Sequence, residues 1–255
     1  STSDEKTIPS FLQQKIEDSK IVKQVEVINA GIEGITSIEE TIRIENELID
    51  FNPDMIIIYD GFNDNVISWG KYIDNSKLKT SIQKEILYLF QTLLPEYKTP
   101  LNGVFFLESI TENANLRNNT LTTPWIKSDH VYERASLWNE RMKETCELGN
   151  KLGFKTIIIL QPFLGTSNRV LTEYEYNQFS LIGGEKNIEN YDKFATGLTN
   201  LKDYCYEVKD YRNIFDGNVE QIYFDAVHLS DSGNKIVSEK IFELIEPTLS
   251  YSLSD

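Results

Sequence analysis

Short apolar segments alternate with longer amphipathic segments along this chain. Three segments are short, rich in β-branched residues and bounded by polar or turn residues: Val25–Ile28, Met55–Tyr59 and Thr156–Leu160. This pattern is typical of strands that are buried on both faces of a parallel sheet. A fourth segment, Val104–Leu107, is a weaker strand candidate that also fits a helix.

Amphipathic helices are predicted between and after these strands. Apolar residues recur at helical spacing in four segments: Ser37–Ile49, Thr80–Leu94, Val131–Leu152 and Ser232–Ile245. Gly153 directly follows the third of them and is suited to ending it. Alternation of strands and helices indicates an α/β fold, in which helices cover both faces of a parallel sheet.

Two of the connections are unusually long. Residues 95–130 are rich in Asn, Thr and Pro, and residues 162–190 are polar and aromatic. Loops of this length inside a compact domain are usually functional or mobile. We therefore expect both segments to be insertions that shape a binding pocket.

Length and composition narrow the class of protein. A chain of 255 residues is most simply a single α/β domain with insertions. The formal net charge is −15 and no basic cluster is present, which argues against a nucleic-acid partner, because phosphate contacts need Lys and Arg. No run approaches the ~18 apolar residues of a membrane span. Cys146 and Cys205 are compatible with one disulfide and equally with two buried thiols, so they leave the compartment open.

Small and polar residues follow the first two predicted strands, at the edge of the sheet where open α/β folds bind ligands. Gly31 follows the first strand, and a glycine lets a backbone N–H approach a ligand without interference from a Cβ. Asn63 follows Gly61 after the second strand and offers a side-chain amide donor. Together they predict two donors of an oxyanion hole. The alternatives are that Gly31 only forms a turn and that Asp64 only caps the helix that follows it.

The segment Asp225-Ala226-Val227-His228 carries one of the chain's two histidines. A spacing of three residues lets the Asp225 carboxylate hold one ring nitrogen of His228, which leaves the other nitrogen free to take a proton from a nucleophile. The alternative is an aspartate that caps a helix beside a surface histidine. Ser230 is expected to cap the helix that begins after it.

These segments, in this order, resemble the SGNH (GDSL-type) hydrolase family over almost the whole chain. Gly31 falls in the second block of that family, Gly61-Phe62-Asn63-Asp64 matches its Gly-x-Asn-Asp block, and Asp225-Ala226-Val227-His228 matches its Asp-x-x-His block. The resemblance implies a three-layer α/β/α, flavodoxin-like fold and a serine ester hydrolase. Asp225 and His228 would be catalytic, and Gly31 and Asn63 would bind the oxyanion.

One block of the family is absent. Its first strand ends in Gly-Asp-Ser or Gly-Gly-Ser, whose serine is the nucleophile, and residues 4–12 resemble the family's segment shortly after that serine. We therefore expect residues 1–255 to be one domain truncated at its N-terminus, with the nucleophile upstream of residue 1. Ser1 and Ser3 lack both the strand and the flanking glycine, and Ser230 follows His228 too closely.

The expected activity is cleavage of acyl or acetyl esters on carbohydrate or lipid, without a metal or organic cofactor. The family also contains acyltransferases, and without the serine the same scaffold would only bind an acylated ligand. A nucleotide-binding flavodoxin-like domain is a weaker alternative, because no Lys or Arg lies near Gly31. The substrate is then a small molecule, a glycan or a lipid, while localisation and oligomeric state stay open.

Overall fold

The computed structural model describes residues 3–21, 24–66, 71–73, 125–127, 131–181 and 184–251. The predicted strand Val104–Leu107, the predicted helix Thr80–Leu94 and most of the long connection 95–130 lie outside these residues. Seven α-helices are described: α1 Ile8–Ser19, α2 Ser37–Asn46, α3 Phe62–Val66, α4 Val131–Leu152, α5 Glu173–Leu181, α6 Gly184–Leu201 and α7 Asp231–Tyr251. Five strands are described: β1 Met55–Asp60, β2 Lys71–Ile73, β3 Trp125–Lys127, β4 Lys155–Leu160 and β5 Glu207–Asp210.

The described residues form two compact units. Unit 1 contains the described residues of Ser1–Gly31, Pro162–Gly184 and Arg212–Asp255. Unit 2 contains those of Ile32–Gln161 and Glu185–Tyr211. Both units are therefore assembled from segments that are distant in the sequence.

Unit 2 contains a parallel sheet in the order β1-β4-β5. Met55 pairs with Lys155 at one end of the β1–β4 ladder, and Asp60 pairs with Leu160 at the other. The central strand β4 is fully buried from Ile157 to Leu160, as expected for an apolar strand with neighbours on both sides. The predicted α/β fold with a parallel sheet is confirmed, and so are its strands at 55–59 and 156–160.

Local sequence signals explain the ends of the helices in unit 2. The first turn of α2 carries a capping box, in which the Thr36 N–H donates to the Glu39 carboxylate at 2.8 Å. Helix α4 packs against α2, α3 and β4. It ends before Gly153, whose φ of +93° is the left-handed conformation that glycine adopts most readily. The predicted helix 131–152 is therefore confirmed at both ends.

A disulfide joins Cys146 of α4 to Cys205, which lies in the turn before β5. The two residues are separated by 59 positions, and their Cα atoms are 4.8 Å apart. Cys146 is buried in the core of unit 2. Of the two possibilities that composition left open, the structure therefore has the disulfide.

Unit 1 is built around the packing of α1 against α7. Its core contains Leu12 and Ile16 of α1 and Val237 and Ile241 of α7, all of them buried. Helix α7 begins at Asp231, and the Ser230 hydroxyl accepts a hydrogen bond from the Gly233 N–H at 3.3 Å. The predicted cap by Ser230 is confirmed.

The predicted strand Val25–Ile28 is wrong. Its residues are described without strand structure, and the Ile28 side chain is 50% exposed. The side chain of Gln13 binds two backbone groups of this segment: its amide N–H donates to Val25 O at 3.0 Å, and its amide oxygen accepts from the Val27 N–H at 2.7 Å. No strand pairs with this segment among the described residues, and a helix side chain satisfies two of its backbone groups.

The segment 162–190 is not one long loop as predicted. It contains α5 and the first turns of α6, and the long connection between β4 and α6 therefore has secondary structure of its own. No helix in the described part of the chain is both long and apolar enough to cross a membrane.

Candidate active site

Asp225 and His228 form a directly hydrogen-bonded pair in unit 1. The Oδ2 atom of Asp225 lies 2.7 Å from Nδ1 of His228. The other carboxylate oxygen, Oδ1, accepts the backbone N–H groups of Val227 at 2.9 Å and His228 at 2.8 Å. One carboxylate therefore holds both the backbone and the ring of the histidine, as the Asp-x-x-His spacing predicts.

A short hairpin presents this pair at its tip. Tyr223 and Leu229 form an antiparallel bridge, and the Ser230 N–H donates to Ile222 O at 2.7 Å. The Phe224 N–H donates to His228 O at 2.8 Å, which closes the chain on either side of the pair. We call residues 222–230 the dyad hairpin.

The electrostatics of the pair favour a histidine that accepts a proton at Nε2. Partial burial acts to raise the pKa of Asp225, but the N–H groups of Val227 and His228 and the His228 ring outweigh it and hold the pKa below its usual value. An ionised carboxylate beside Nδ1 requires a proton on that nitrogen when the ring is neutral, so Nε2 is the free acceptor. The His228 side chain is 59% exposed and Asp225 48% exposed, which leaves Nε2 open to a reacting group.

The two predicted oxyanion donors are in different units. Gly31 belongs to unit 1, and its N–H donates to Asn29 Oδ1 at 3.2 Å. Asn63 belongs to unit 2, and its side-chain amide donates to Ile35 O at 2.7 Å. An amide has two hydrogens, so one of those on Asn63 is left for a ligand, whereas an oxyanion at Gly31 would compete with Asn29. Their shared role with His228 stays a prediction.

Gly61 has a conformation and surroundings that only glycine fits. Its φ is +123°, and an added Cβ would lie 2.6 Å from both Leu160 Cδ1 and Tyr191 Oη. The tyrosine is itself fixed, because its hydroxyl donates to Gln161 O at 2.9 Å. The glycine of the Gly-x-Asn-Asp block therefore has a packing role as well as a conformational one.

Substituting Gly61 by alanine is expected to destabilise unit 2 by about 3 kcal/mol, from backbone strain and overpacking together. The matched control is Gly153→Ala, which has a positive φ but no neighbour within 4 Å of the added Cβ, and is expected to cost only about 1 kcal/mol. Urea unfolding of both variants measures the difference. An equal fall in the free energy of unfolding of both variants would show that the clash with Leu160 and Tyr191 adds nothing to the cost of Gly61→Ala.

Asp64 does not cap the segment after it, which was the alternative considered from the sequence. It lies within α3 and is fully buried. Its carboxylate accepts the Ser37 N–H at 3.0 Å and the Ser37 hydroxyl at 2.6 Å. It therefore caps the start of α2, a helix 27 positions earlier in the chain. Proximity in the sequence favoured the helix next to Asp64. In the fold, the start of α2 lies beside the residues that follow β1, so Asp64 binds Ser37 instead.

The carboxyl groups of Glu39, Asp60 and Asp64 are buried in unit 2, next to that of Glu40, which has one buried oxygen. Their burial was not predicted from the sequence. Burial raises the pKa of Glu39 to about 7 and that of Asp60 to about 6, although hydrogen bonds from Thr36 and from the Trp138 indole oppose these shifts. Burial and the neighbouring Asp60 raise the pKa of Asp64 well above its ordinary value. Glu39 stands at the capping-box spacing from Thr36, which predicts its hydrogen bond to the Thr36 N–H but not its burial. No group of three metal-binding side chains occurs in the described ranges, and this cluster is not such a group.

The raised pKa of Glu39 predicts stability that falls as pH rises. Between pH ~4.5 and pH ~7 the folded protein keeps a proton on Glu39 that the unfolded chain releases. The free energy of unfolding therefore falls by on the order of 3 kcal/mol across this range. Glu39→Gln keeps an oxygen for the Thr36 N–H and removes the titration, and we expect it to lose less stability between pH 5 and pH 8 than the wild type. Urea unfolding at both pH values measures this. Glu45→Gln, on the same helix but partly exposed, is the control, and equal losses in all three proteins would contradict the prediction.

Comparison with known proteins gives structural likeness without sequence likeness. No protein-family model matches the chain, and no curated protein matches it by sequence. Two acetylxylan esterases of known structure resemble it weakly. AlAXEase has a TM-score of 0.45 at 15% identity over 94% of this chain and 91% of its own. A catalytic mutant of Axe2 from Geobacillus stearothermophilus has a TM-score of 0.46 at 15% identity over 94% and 80%.

A third solved structure is similar enough to show the fold. LAE5, an alpha/beta hydrolase enzyme from the metagenome of Lake Arreo, Spain, has a TM-score of 0.52 at 13% identity. The match covers 98% of this chain and 84% of LAE5. This chain therefore has a fold similar to that of LAE5.

Proposed function

We propose that this protein is a serine ester hydrolase in which His228 is the general base and Asp225 orients it. The observation that carries the proposal is the 2.7 Å contact between Asp225 Oδ2 and His228 Nδ1, with the ring exposed on its other side. A carboxylate–imidazole pair in this arrangement is the part of a catalytic triad that activates a hydroxyl nucleophile. The fold shared with LAE5, itself a hydrolase, supports the same reaction class.

The nucleophile of this proposal is a serine upstream of Ser1, as the resemblance to SGNH hydrolases implies. Its hydroxyl oxygen attacks the ester carbonyl while His228 Nε2 takes the hydroxyl proton. The resemblance to SGNH hydrolases implies that the Gly31 N–H, the Asn63 amide and the N–H of the serine bind the tetrahedral oxyanion. The C–O bond to the leaving alcohol then breaks, and the alcohol takes the proton from His228. Water, deprotonated by the same nitrogen, hydrolyses the acyl-enzyme.

We propose small acyl groups on carbohydrate as the substrate class. The support is the Asn- and Thr-rich composition of the connection 95–130, because a polar rim suits a sugar ester better than a long acyl chain. The same dyad would transfer the acyl group if an alcohol replaced water in the second step. The products of a reaction with an acetylated sugar, run with and without an added acceptor sugar, distinguish hydrolysis from transfer.

A fluorophosphonate probe tests the nucleophile. The full-length gene product is expected to take up one probe molecule, seen by intact mass, on a serine upstream of Ser1 that peptide mapping identifies. His228→Ala is expected to abolish this adduct. His130→Ala, which removes the other histidine of the chain, is expected to retain it. A folded full-length protein that takes up no probe would overturn the hydrolase proposal and leave a binding domain on the same scaffold.

A further inference from the structure

A buried ion pair joins Arg169 and Glu175 in unit 1. Nη1 of Arg169 lies 3.0 Å from Oε1 of Glu175, and Nη2 lies 3.1 Å from Oε2, so the contact is bidentate. The two side chains are 1% and 0% exposed. Charge-assisted hydrogen bonds with this fork geometry are directional as well as strong, and they hold both partners in one orientation.

Both members of the pair also bind the backbone that leads to the dyad hairpin. Oε1 of Glu175 accepts the Ile222 N–H at 2.9 Å and the Tyr223 N–H at 3.1 Å. On the arginine, Nε donates to Asn218 O at 3.2 Å, and Nη2 donates to Glu220 O. Four backbone groups between positions 218 and 223 are therefore attached to one pair of side chains.

The attachment ends immediately before the catalytic residues. Tyr223, whose N–H is bound by Glu175, is also the residue that bridges to Leu229. Ile222 is bound by Glu175 through its N–H and by Ser230 through its carbonyl. A shift of the carboxylate of Glu175 would move both strands of the dyad hairpin, and with them Asp225 and His228.

We propose that Arg169 and Glu175 are positioning residues that hold the dyad hairpin, so that His228 keeps its hydrogen bond to Asp225 and its orientation toward the substrate. The catalytic meaning of this orientation rests on the function proposed above. The Asp225–His228 pair itself is 48% and 59% exposed and has little packing of its own to fix it. The loop itself is held by the Leu164 N–H, which donates to Ala226 O at 2.8 Å, and by the Tyr174 hydroxyl, which donates to Phe224 O at 2.5 Å. The buried pair adds the hold on the backbone that enters the hairpin at Ile222 and Tyr223.

Stability alone is a weak reason for this ion pair. Buried ion pairs are costly to desolvate, and well-packed apolar residues in their place are often as stable or more so. What apolar residues cannot supply is an acceptor for the Ile222 and Tyr223 N–H groups and donors for the Asn218 and Glu220 carbonyls. The pair is therefore suited to fixing the position of a backbone segment, and a catalytic group misplaced by about 1 Å loses on the order of 10²-fold in rate.

The test uses Glu175→Gln in the full-length gene product. Glutamine keeps the size of the side chain, but its NH₂ group cannot accept, so either the Thr172 contacts on Oε2 or the Ile222 and Tyr223 contacts on Oε1 are lost. We expect kcat for 4-nitrophenyl acetate to fall about 10- to 100-fold while KM stays within about twofold. Glu243→Gln, which breaks an exposed pair with Lys240, is the matched control and keeps the wild-type kcat.

Arg169→Lys is the second variant, should Glu175→Gln fail to fold. Lysine keeps the charge next to Glu175 but loses the bidentate fork and the donors to the two carbonyls. We expect the same direction of change in kcat, with KM again nearly unchanged. Arg169→Lys with wild-type kcat would overturn the proposal.

Nitrogen NMR of the histidine rings gives a readout that does not depend on turnover. The chain has two histidines, and the spectrum of His228→Gln assigns the remaining signal to His130. In the wild type we expect the neutral His228 ring to carry its proton on Nδ1, held by Asp225. In Glu175→Gln we expect a mixture of the two neutral tautomers.

The combined results separate the two proposals. An unchanged His228 tautomer in both folded variants, Glu175→Gln and Arg169→Lys, overturns the positioning role, whatever the wild-type activity. A mixed tautomer in the variant, together with a wild-type protein that hydrolyses no ester, supports the positioning of the dyad hairpin and overturns the hydrolase function.

Discussion

Replacing His228 by alanine is expected to lower kcat for ester hydrolysis by about 10²- to 10⁴-fold, which is the usual contribution of a general base. The side chain is 59% exposed and lies at the tip of a hairpin, so its removal leaves the core of unit 1 intact. We therefore expect a melting temperature within about 2 °C of the wild type. Steady-state hydrolysis of 4-nitrophenyl acetate by the full-length gene product, with His130→Ala as control, measures the effect.

Asp225→Asn makes the same test sharper, because it changes one charge and little of the shape. The asparagine oxygen can still accept the Val227 and His228 N–H groups, but its NH₂ group then faces Nδ1. That arrangement favours a proton on Nε2, where the nucleophile's proton should go, so we expect kcat to fall by about 10³-fold or more. Asp231→Asn, at a similarly exposed aspartate six positions later, is expected to leave kcat within twofold. Equal activity of the two variants would show that Asp225 does not serve His228.

Loss of the disulfide between Cys146 and Cys205 is expected to destabilise the protein by about 4 kcal/mol, because the bond closes a loop of 59 positions in the unfolded chain. For a protein of this size that corresponds to a fall in melting temperature of about 10 °C. The double variant Cys146→Ala/Cys205→Ala and the reduced wild type should show the same fall. Thermal unfolding with and without dithiothreitol measures both.

A double-mutant cycle isolates the bond from the packing of its sulfur atoms. Each single variant already removes the disulfide, so the second substitution should add little to the first. The double variant should also be insensitive to dithiothreitol. A wild-type melting temperature that dithiothreitol leaves unchanged would show that the bond does not stabilise the native state.

Much of the fold could be predicted from local patterns. The strands around 55–60 and 155–160 are continuous apolar runs, and the helix 131–152 has both helical periodicity and a glycine at its end. The Val25–Ile28 segment has the same local character as these strands but no sheet hydrogen bonds in the described structure. Whether an apolar run becomes a strand depends on a neighbouring strand for its backbone, and no described strand pairs with this segment, two of whose backbone groups are bound by Gln13.

The buried polar groups could not be predicted. Glu175 lies in a polar stretch that resembles a loop, yet it is fully buried, and it binds a backbone N–H 47 positions away at Ile222. Glu39 and Asp64 likewise look like solvated acids. The spacing Thr-x-x-Glu predicts the local donors of Glu39 and Glu175, which are Thr36 and Thr172. It does not predict the burial of these acids, nor the distant donors of Glu175 and Asp64 at Ile222 and Ser37, which only the fold brings to them.

The sequence by itself determined the interactions between residues close in the chain: the amphipathic helices and their ends, the two central apolar strands, and the Asp225–His228 pair, whose members are only three residues apart. Such interactions need only local backbone geometry, so residue type and spacing specify them. The tertiary structure alone decided the disulfide, the cap that Asp64 provides for α2, and the contacts of Arg169 and Glu175 with the backbone of residues 218–223. Each of these joins atoms from distant parts of the chain, and only the folded backbone brings them within bonding distance.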